Sequence, residues 1–386
     1  MPRCRQCLIS DSVPGADLDT NRLCRFCRED DPAARAAEEA ARLAREDDLE
    51  QALRDCRGRG EYDCLVPLSG GKDSVYLLHR LKREYGLKVL AFTTDINIPP
   101  IAWDNIRRAV TALDIDHAVY RPSKKFYAKL FRHLLSNQEE RGAVYTVSYV
   151  YAPLFEGDAI RLAAQKGIPL VLAGYSPGQP DPERMEYEFS PELIRETDWT
   201  PPALKASGAF DEEELAYFFN PTRERFPHGL PRYLAPYHAW PYSQEEVMRK
   251  TLELGLVKSA RHANPVLTNY PIQWLLMYSD LNHFGYNPYL PEFATLIRQG
   301  KASRRVWRVL FPLVDFMIRH KTLLGREVSQ CLRWLGMTES ELAVALPRGA
   351  YDPPYTGGSH VRCDHLARTA AKPRPALAAP CRVPAS

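Results

Sequence analysis

Two groups of residues in this chain have the types and spacing to do chemistry. The first is Ser69-Gly70-Gly71-Lys72-Asp73-Ser74, set between an apolar run and a helix-like one in "YDCLVPLSGGKDSVYLLHRL". Two adjacent glycines let the backbone turn tightly and approach a ligand without Cβ atoms in the way. A helix starting there offers unpaired N–H groups and a partial positive end, which together suit an anion. Lys72 adds a full charge, and Ser69 and Ser74 add hydroxyl donors. The turn is therefore expected to hold phosphates. Asp73 belongs beside phosphate if it orients the loop or contacts a phosphate-bound Mg²⁺.

The second group is Cys4, Cys7, Cys24 and Cys27, two Cys-x-x-Cys pairs separated by sixteen residues. That spacing suits a four-cysteine knuckle, and four thiolates close a tetrahedral shell around Zn²⁺ with no open position. The expected role is structural, the metal standing in for a core that so short a segment lacks. A redox role for the pairs is the main rival.

Other polar residues are less specific. Arg261, His262, Asn264 and Asn269, then His283, Tyr286 and Asn287, stand beside helix-like runs where ordinary helix-end or turn chemistry is favoured over substrate contact. His228 and His238 lie in Pro-rich sequence and are unassigned. None has a sequence partner that establishes acid–base work. His360, Cys363 and His365 read as part of a solvated tail.

Strand and helix patterns alternate around the glycine turn. "DCLVPL", "LKVLAFTTD", "DHAVYRP" and "IPLVLAG" read as strands. Residues Lys72 to Tyr85, Ile101 to Leu113, Lys124 to Ser136 and Tyr149 to Lys166 read as helices. Apolar strands alternating with amphipathic helices predict an α/β fold, a doubly wound parallel sheet covered on both faces. Ligands in such sheets bind outside the carboxyl ends of the strands. Three segments converge there: the turn after Leu68, the stretch with Thr93, Thr94 and Asp95, and "AGYSPGQ" with Gly174. Residues 175–242, rich in proline and aromatics, read as long ordered loops of the kind that form lids. Ser243 is expected to cap a helix, with Glu246 three residues on.

The turn matches neither the Walker pattern nor the dinucleotide fingerprint, whose glycines are spaced differently. It resembles the PP-loop of the N-type ATP pyrophosphatases. That resemblance implies an adenine nucleotide alpha hydrolase-like fold that grips the β- and γ-phosphates of ATP and leaves the α-phosphorus open to attack. The wider layout resembles the N-acetyl sugar amidotransferases of bacterial surface-sugar biosynthesis. The resemblance rests on "CRQC…CRFC", "YDCLVPLSGGKDS", "YGLKVLAFTTD" and "GIPLVLAG", and more faintly on "FGYNPYLPEFATLIRQGKAS". The chain departs from that family in having "GYSPGQ" where an acidic Gly-Glu-Asn-type motif is usual, and no cysteine in "VYTVSYVYAPLF".

The resemblance implies adenylylation of an amide or carboxylate oxygen, pyrophosphate release, and displacement of AMP by ammonia. Lys72 and Asp73 are the expected catalytic residues. Ser69, Gly70, Gly71, Ser74, Thr93, Thr94, Asp95 and Gly174 are expected to border ATP and its Mg²⁺. No glutaminase-like segment is evident and Pro2 follows the initiator Met, so a separate glutaminase subunit or free ammonia is implied. The same loop serves ATP-dependent sulfurtransferases acting on tRNA or small molecules, with Cys56, Cys64 and Cys331 the cysteines left to carry sulfur. A nucleotide-binding regulator without turnover is the remaining alternative, disfavoured by the intact loop.

A net charge of +3 over 386 residues makes no demand for nucleic acid or a membrane surface, so the expected partner is a small-molecule acceptor. The 32 prolines exceed the usual share and concentrate in the second half. With no export signal and no apolar run of bilayer length, the chain reads as cytoplasmic. The expected organisation is a zinc knuckle over residues 1–31, a linker helix over 32–60 and a PP-loop domain over 61–242. A helical substrate-side region over 243–349 and a disordered tail over 350–386 complete it, and a homodimer is entertained.

Overall fold

The computed structural model describes residues 2–29, 31–177 and 185–355. Six strands form its central sheet: β1 (Cys64–Pro67), β2 (Val89–Thr94), β3 (Asp116–Tyr120), β5 (Leu170–Leu172), β6 (Glu188–Phe189) and β7 (Arg232–Leu234). Two further short strands, β4 (Gln138–Glu139) and β8 (Val344–Leu346), pair with each other. The order across the main sheet is β3-β2-β1-β5-β7-β6, and every pair is parallel except β6 with β7. The chain winds outward from β1 through β2 to β3, then crosses back to β5 on the other side of β1. The topological switch point therefore lies beside β1, and its carboxyl end opens the crevice where such sheets take ligands.

Alternation along the strands sends successive side chains to opposite faces. Cys64, Val66, Val89, Ala91, Leu170, Leu172 and Leu234 enter one apolar core, while Leu65, Leu90, Phe92, Val171 and Tyr233 enter the other. Both faces are covered, which explains the near-continuous apolar runs in the sequence. On the first face lie α1 (Pro32–Asp55), α2 (Lys72–His79) and α3 (Pro100–Leu113), contributing residues such as Leu49, Leu78 and Ile106. Helix α1 is exposed over its first turns and packs through Leu49 and Leu53, which are buried, so it is a part of the core layer as well as a link to the knuckle.

A separate apolar cluster joins α4 (Lys124–Ser136) and α5 (Ala143–Lys166) to three C-terminal helices. These are α8 (Ile272–Phe284), α10 (Arg304–Arg319) and α11 (Arg326–Leu335). Helix α5 begins six residues before its expected start, because the buried Asp280 carboxylate accepts from Ala143 N (2.5 Å) and Val144 N (3.0 Å) and caps it from α8. Ser243 accepts from Glu246 N at 3.4 Å and caps α6 (Gln244–Glu253) as its sequence predicts.

Two expectations are corrected. Residues 185–242 are not a lid: they supply β6 and β7, and Met185, Tyr187, Phe189, Trp199 and Phe219 are wholly buried. Packing also continues beyond Ala350, since Tyr351 and Tyr355 are buried and Asp352 pairs with Arg141. The rest of the expected tail, with His360, Cys363 and His365, lies outside the described residues, as do Gly178 and Gln179. Among the described residues no helix is long and apolar enough to cross a membrane.

Candidate functional site

The glycine turn leaves β1 at the switch point and runs directly into α2. Leu68 N donates to Phe92 O (2.7 Å) and Thr93 Oγ1 donates to Leu68 O (2.7 Å), so the end of β1 is stitched to β2 before the turn begins. Gly70 then takes φ +78°, and a Cβ there would stand 2.3 Å from Ala102 O on α3. Positive φ and close backbone approach both require glycine. Asn105 fastens the same peptide from α3: its Nδ2 donates to Gly70 O (2.8 Å) and to His262 O (2.7 Å). Gly174, at the end of β5, lies against the first turn of α2, where a Cβ would come within 2.8 Å of Ser74 N.

Inside the turn the hydroxyls brace one another. Ser69 Oγ and Ser74 Oγ are 3.2 Å apart, Ser74 Oγ donates to Gly71 O (3.2 Å), and Gly71 N donates to Ser69 Oγ (3.4 Å). Lys72 is buried, and its Nζ pairs with Asp73 Oδ2 and donates to Tyr242 OH (3.3 Å). Tyr242 OH in turn donates to Asp73 Oδ1 (3.0 Å), and Tyr237 OH donates to Asp73 O (2.9 Å). Burial, reinforced by the Asp73 charge, drives both phenol pKa values far above their ordinary range, so both remain donors. Two tyrosines from the Pro-rich segment thus form a floor beneath the turn.

The turn faces a cleft of about 280 Å³. Ser69, Gly71, Lys72, Asp73, Ser74 and Thr94 line one side, with Gly174 beside them. Opposite stand Tyr151 and Phe155 of α5 and the segment Pro265, Thr268, Asn269 and Tyr270, which includes α7 (Pro265–Thr268). Tyr175 also borders the cleft and donates its hydroxyl to the buried Glu156 (2.5 Å). Burial pushes the Tyr270 phenol up to about 12. Behind Thr94 lies Asp158, whose carboxylate accepts from Thr94 Oγ1 (3.4 Å); burial outweighs the nearby Arg161 and raises its pKa to about 7.

Three of the residues expected from the sequence to border ATP are not on the cleft wall. Gly70 faces α3. Thr93 points to the other face of the sheet, with Oγ1 2.8 Å from His117 Nε2. Asp95 accepts from Arg121 Nε (2.9 Å). Alternation along β2 explains the split, since Thr94 shares its face with Phe92 and Thr93 does not.

Of the C-terminal polar residues, Asn269 reaches the cleft. Asn264 caps α7 by accepting from Val266 N (2.9 Å), His262 Nδ1 sits 2.9 Å from Ser259 Oγ, and His283 Nδ1 sits 2.8 Å from Ser279 O. These are the helix-end roles their sequence positions favour. Among the described residues the cysteines outside the knuckle are buried and none lines the cleft. Cys64 sits at the opposite end of β1, its thiol pushed well up by burial, and burial raises Cys56 to about 11 and Cys331 to about 12.

The sequence reading missed Tyr237, Tyr242, Asn105 and the aromatic cleft wall. The available signal was the density of tyrosines in "RYLAPYHAWPY", and nothing in it points to Asp73.

Outside the cleft wall, the Sγ atoms of Cys4, Cys7, Cys24 and Cys27 lie within 4.8 Å of one another. Cys4 and Cys27 are 3.8 Å apart and Cys7 and Cys24 3.5 Å apart, close to the edge of about 3.8 Å that a tetrahedral Zn–S site needs. The donor set fits zinc. Cys24 N donates to Cys4 Sγ (3.4 Å) and Arg298 Nη1 to Cys7 Sγ (3.5 Å), contacts that favour thiolates. The knuckle packs against α9 (Leu290–Arg298) and α10 through Leu290, Ala294, Trp307 and Phe311.

No family model matches the chain, and no curated protein matches it. Among solved structures it is similar to an NMN synthetase from Francisella tularensis, at 12% identity and a TM-score of 0.33, over 83% of this chain and all of that one.

Proposed function

We propose that this protein is an ATP pyrophosphatase-type amidotransferase of the PP-loop class. The observation that carries the reading is the Ser69–Ser74 turn at the switch point of a parallel sheet, with Lys72 and Asp73 facing a cleft that holds room for more than a phosphate. In this reading the turn and the first N–H groups of α2 receive the β- and γ-phosphates of ATP, and Asp73 helps hold the accompanying Mg²⁺. Lys72 stabilises the pyrophosphate as it leaves.

The chemistry runs in two displacements. A carboxylate or amide oxygen of the acceptor attacks the α-phosphorus, and the bond to pyrophosphate breaks. Ammonia then adds to the activated carbon, loses a proton and expels AMP. Both steps depend mainly on positioning, which a braced turn and a floor of two tyrosines would provide. The acceptor is a small molecule, and the resemblance to the N-acetyl sugar amidotransferases makes an N-acetyl sugar or a related intermediate the first to try. Ammonia comes from solution or from a separate glutaminase subunit. Nitrogen is favoured over sulfur because the described cysteines outside the knuckle are buried away from the cleft. Zinc at Cys4, Cys7, Cys24 and Cys27 is structural.

The test is the fate of the nucleotide. With ATP, Mg²⁺, ammonium and a panel of amides and acids, the enzyme should release AMP and pyrophosphate, and Lys72→Ala or Asp73→Ala should abolish release while fold and zinc content persist. Formation of ADP, or unchanged turnover in both variants, would refute the assignment.

A further inference from the structure

A second cavity, of about 100 Å³, adjoins the cleft: Pro265 and Asn269 belong to the walls of both. Its other walls are largely aromatic, among them Trp274, Tyr289, Phe293, Trp307 and Phe311. No Asp, Glu, Lys, Arg or His side chain lines it. The rings are held in place. Phe293 and Trp307 have centroids 3.7 Å apart, Trp307 and Phe311 5.0 Å apart, and Trp307 Nε1 donates to Gln244 Oε1 (3.3 Å).

Three amides are present, and two are occupied. Asn287 donates to Asp315 Oδ1 (2.9 Å) and accepts from Tyr289 N (3.1 Å). Asn269 accepts from Tyr270 N (3.0 Å) and its amide interacts with the Tyr289 phenol. Gln273 is different: its Oε1 accepts from Tyr289 OH (2.5 Å), which fixes the amide and leaves Nε2 without a hydrogen-bond partner among the described residues. The cavity thus offers apolar walls and one positioned donor.

We propose that this cavity is a binding subsite for an uncharged group, apolar apart from one hydrogen-bond acceptor, and that it selects the acceptor by that group. A charged group would surrender its hydration with nothing to pair it. An apolar cavity of about 150 Å³ takes benzene, so this one takes about four or five non-hydrogen atoms. The group lies beyond Asn269, and the reacting oxygen remains on the cleft side. Assigning the occupant to the acceptor rests on the function proposed above; occupancy of the cavity by a neutral group does not.

The experiment uses the full chain with its metal, without nucleotide, and follows binding of butanone and of propionate, its charged isostere, by ligand-observed NMR. Val266→Trp fills the cavity, and Gln273→Ala removes the donor in case the larger residue disturbs folding. Butanone should bind at least tenfold more tightly than propionate. It should lose at least tenfold in Val266→Trp and several-fold in Gln273→Ala, with affinity for a non-hydrolysable ATP analogue unchanged in both. No binding by the wild type, equal binding of propionate, or wild-type affinity in both variants would overturn the assignment. Should butanone bind as expected while the ATP analogue does not bind the wild type, the subsite stands and the nucleotide reading falls.

Discussion

The hydroxyl of Tyr242 donates to Oδ1 of Asp73 across 3.0 Å, joining residues separated by 169 positions in the chain. Lys72 Nζ donates to the same hydroxyl and also pairs directly with Asp73 Oδ2, so the phenol bridges the ion pair and restricts where both members can point. A hydrogen bond to a charged group contributes about 1.5–3 kcal/mol. Tyr242→Phe should therefore lower kcat/KM for ATP by about 10- to 100-fold, measured as pyrophosphate release, with an unchanged circular dichroism spectrum. Wild-type kinetics in this variant would mean that Asp73 is positioned by something else.

The two glycines of the turn are required for different reasons. Gly70 has positive φ and no room for a Cβ, whereas a Cβ at Gly71 meets nothing closer than Ser69 Oγ at 3.5 Å. Gly70→Ala should lower the melting temperature by several degrees, since a non-glycine residue at positive φ costs about 1–2 kcal/mol before any clash. Gly71→Ala should leave the melting temperature near wild type and weaken ATP binding by obstructing the phosphates. Thermal scans beside nucleotide titrations would expose an exchange of these two effects.

Asp158 provides a pH signature. Its folded pKa is raised from 3.8 to about 7 by burial, so between these values the folded chain holds a proton that the unfolded chain has released. That contribution to stability is complete below about pH 4, falls as pH rises towards 7, and is flat beyond. Asp280, also raised to about 7 by burial, adds a parallel term. Denaturant melts at pH 5 and pH 7.5 should show a smaller stability loss for Asp158→Asn than for the wild type. An identical loss would show that the carboxyl titrates normally.

The zinc proposed at the four cysteines should support the aromatic cavity rather than the glycine turn. Trp307 and Phe311 pack against the cysteine-bearing segment and also line the aromatic cavity, a wall to which no residue of the Ser69–Ser74 turn belongs. Cys7→Ser should lose zinc, by elemental analysis, and raise KM for the acceptor with little change in the dissociation constant of an ATP analogue. Equal loss of both would tie the knuckle to the nucleotide side instead.

Much of the frame was readable from the residues. The runs around Val66, Phe92 and Val171 are apolar on both parities because both sheet faces are covered, and that pattern survives without any neighbour being known. β6 and β7 escaped notice because two and three residues are too few to show a period, and prolines flank them. Gly70 and Gly71 announced a backbone approached by something. That Ala102 is the neighbour of one and the cleft of the other follows from how α3 crosses the sheet. Thr93 and Thr94 looked equivalent in the sequence, and the pleat separated them.

The floor beneath the glycine turn also sets an order of events during synthesis. A nascent chain that has exposed residue 74 carries the whole glycine motif, yet Tyr237 and Tyr242 emerge more than 160 residues later. Products of premature termination or cleavage before residue 237 would keep the Ser69–Ser74 motif and lack the two phenols that brace it, so the ATP capture proposed above should require a chain extended to at least residue 242.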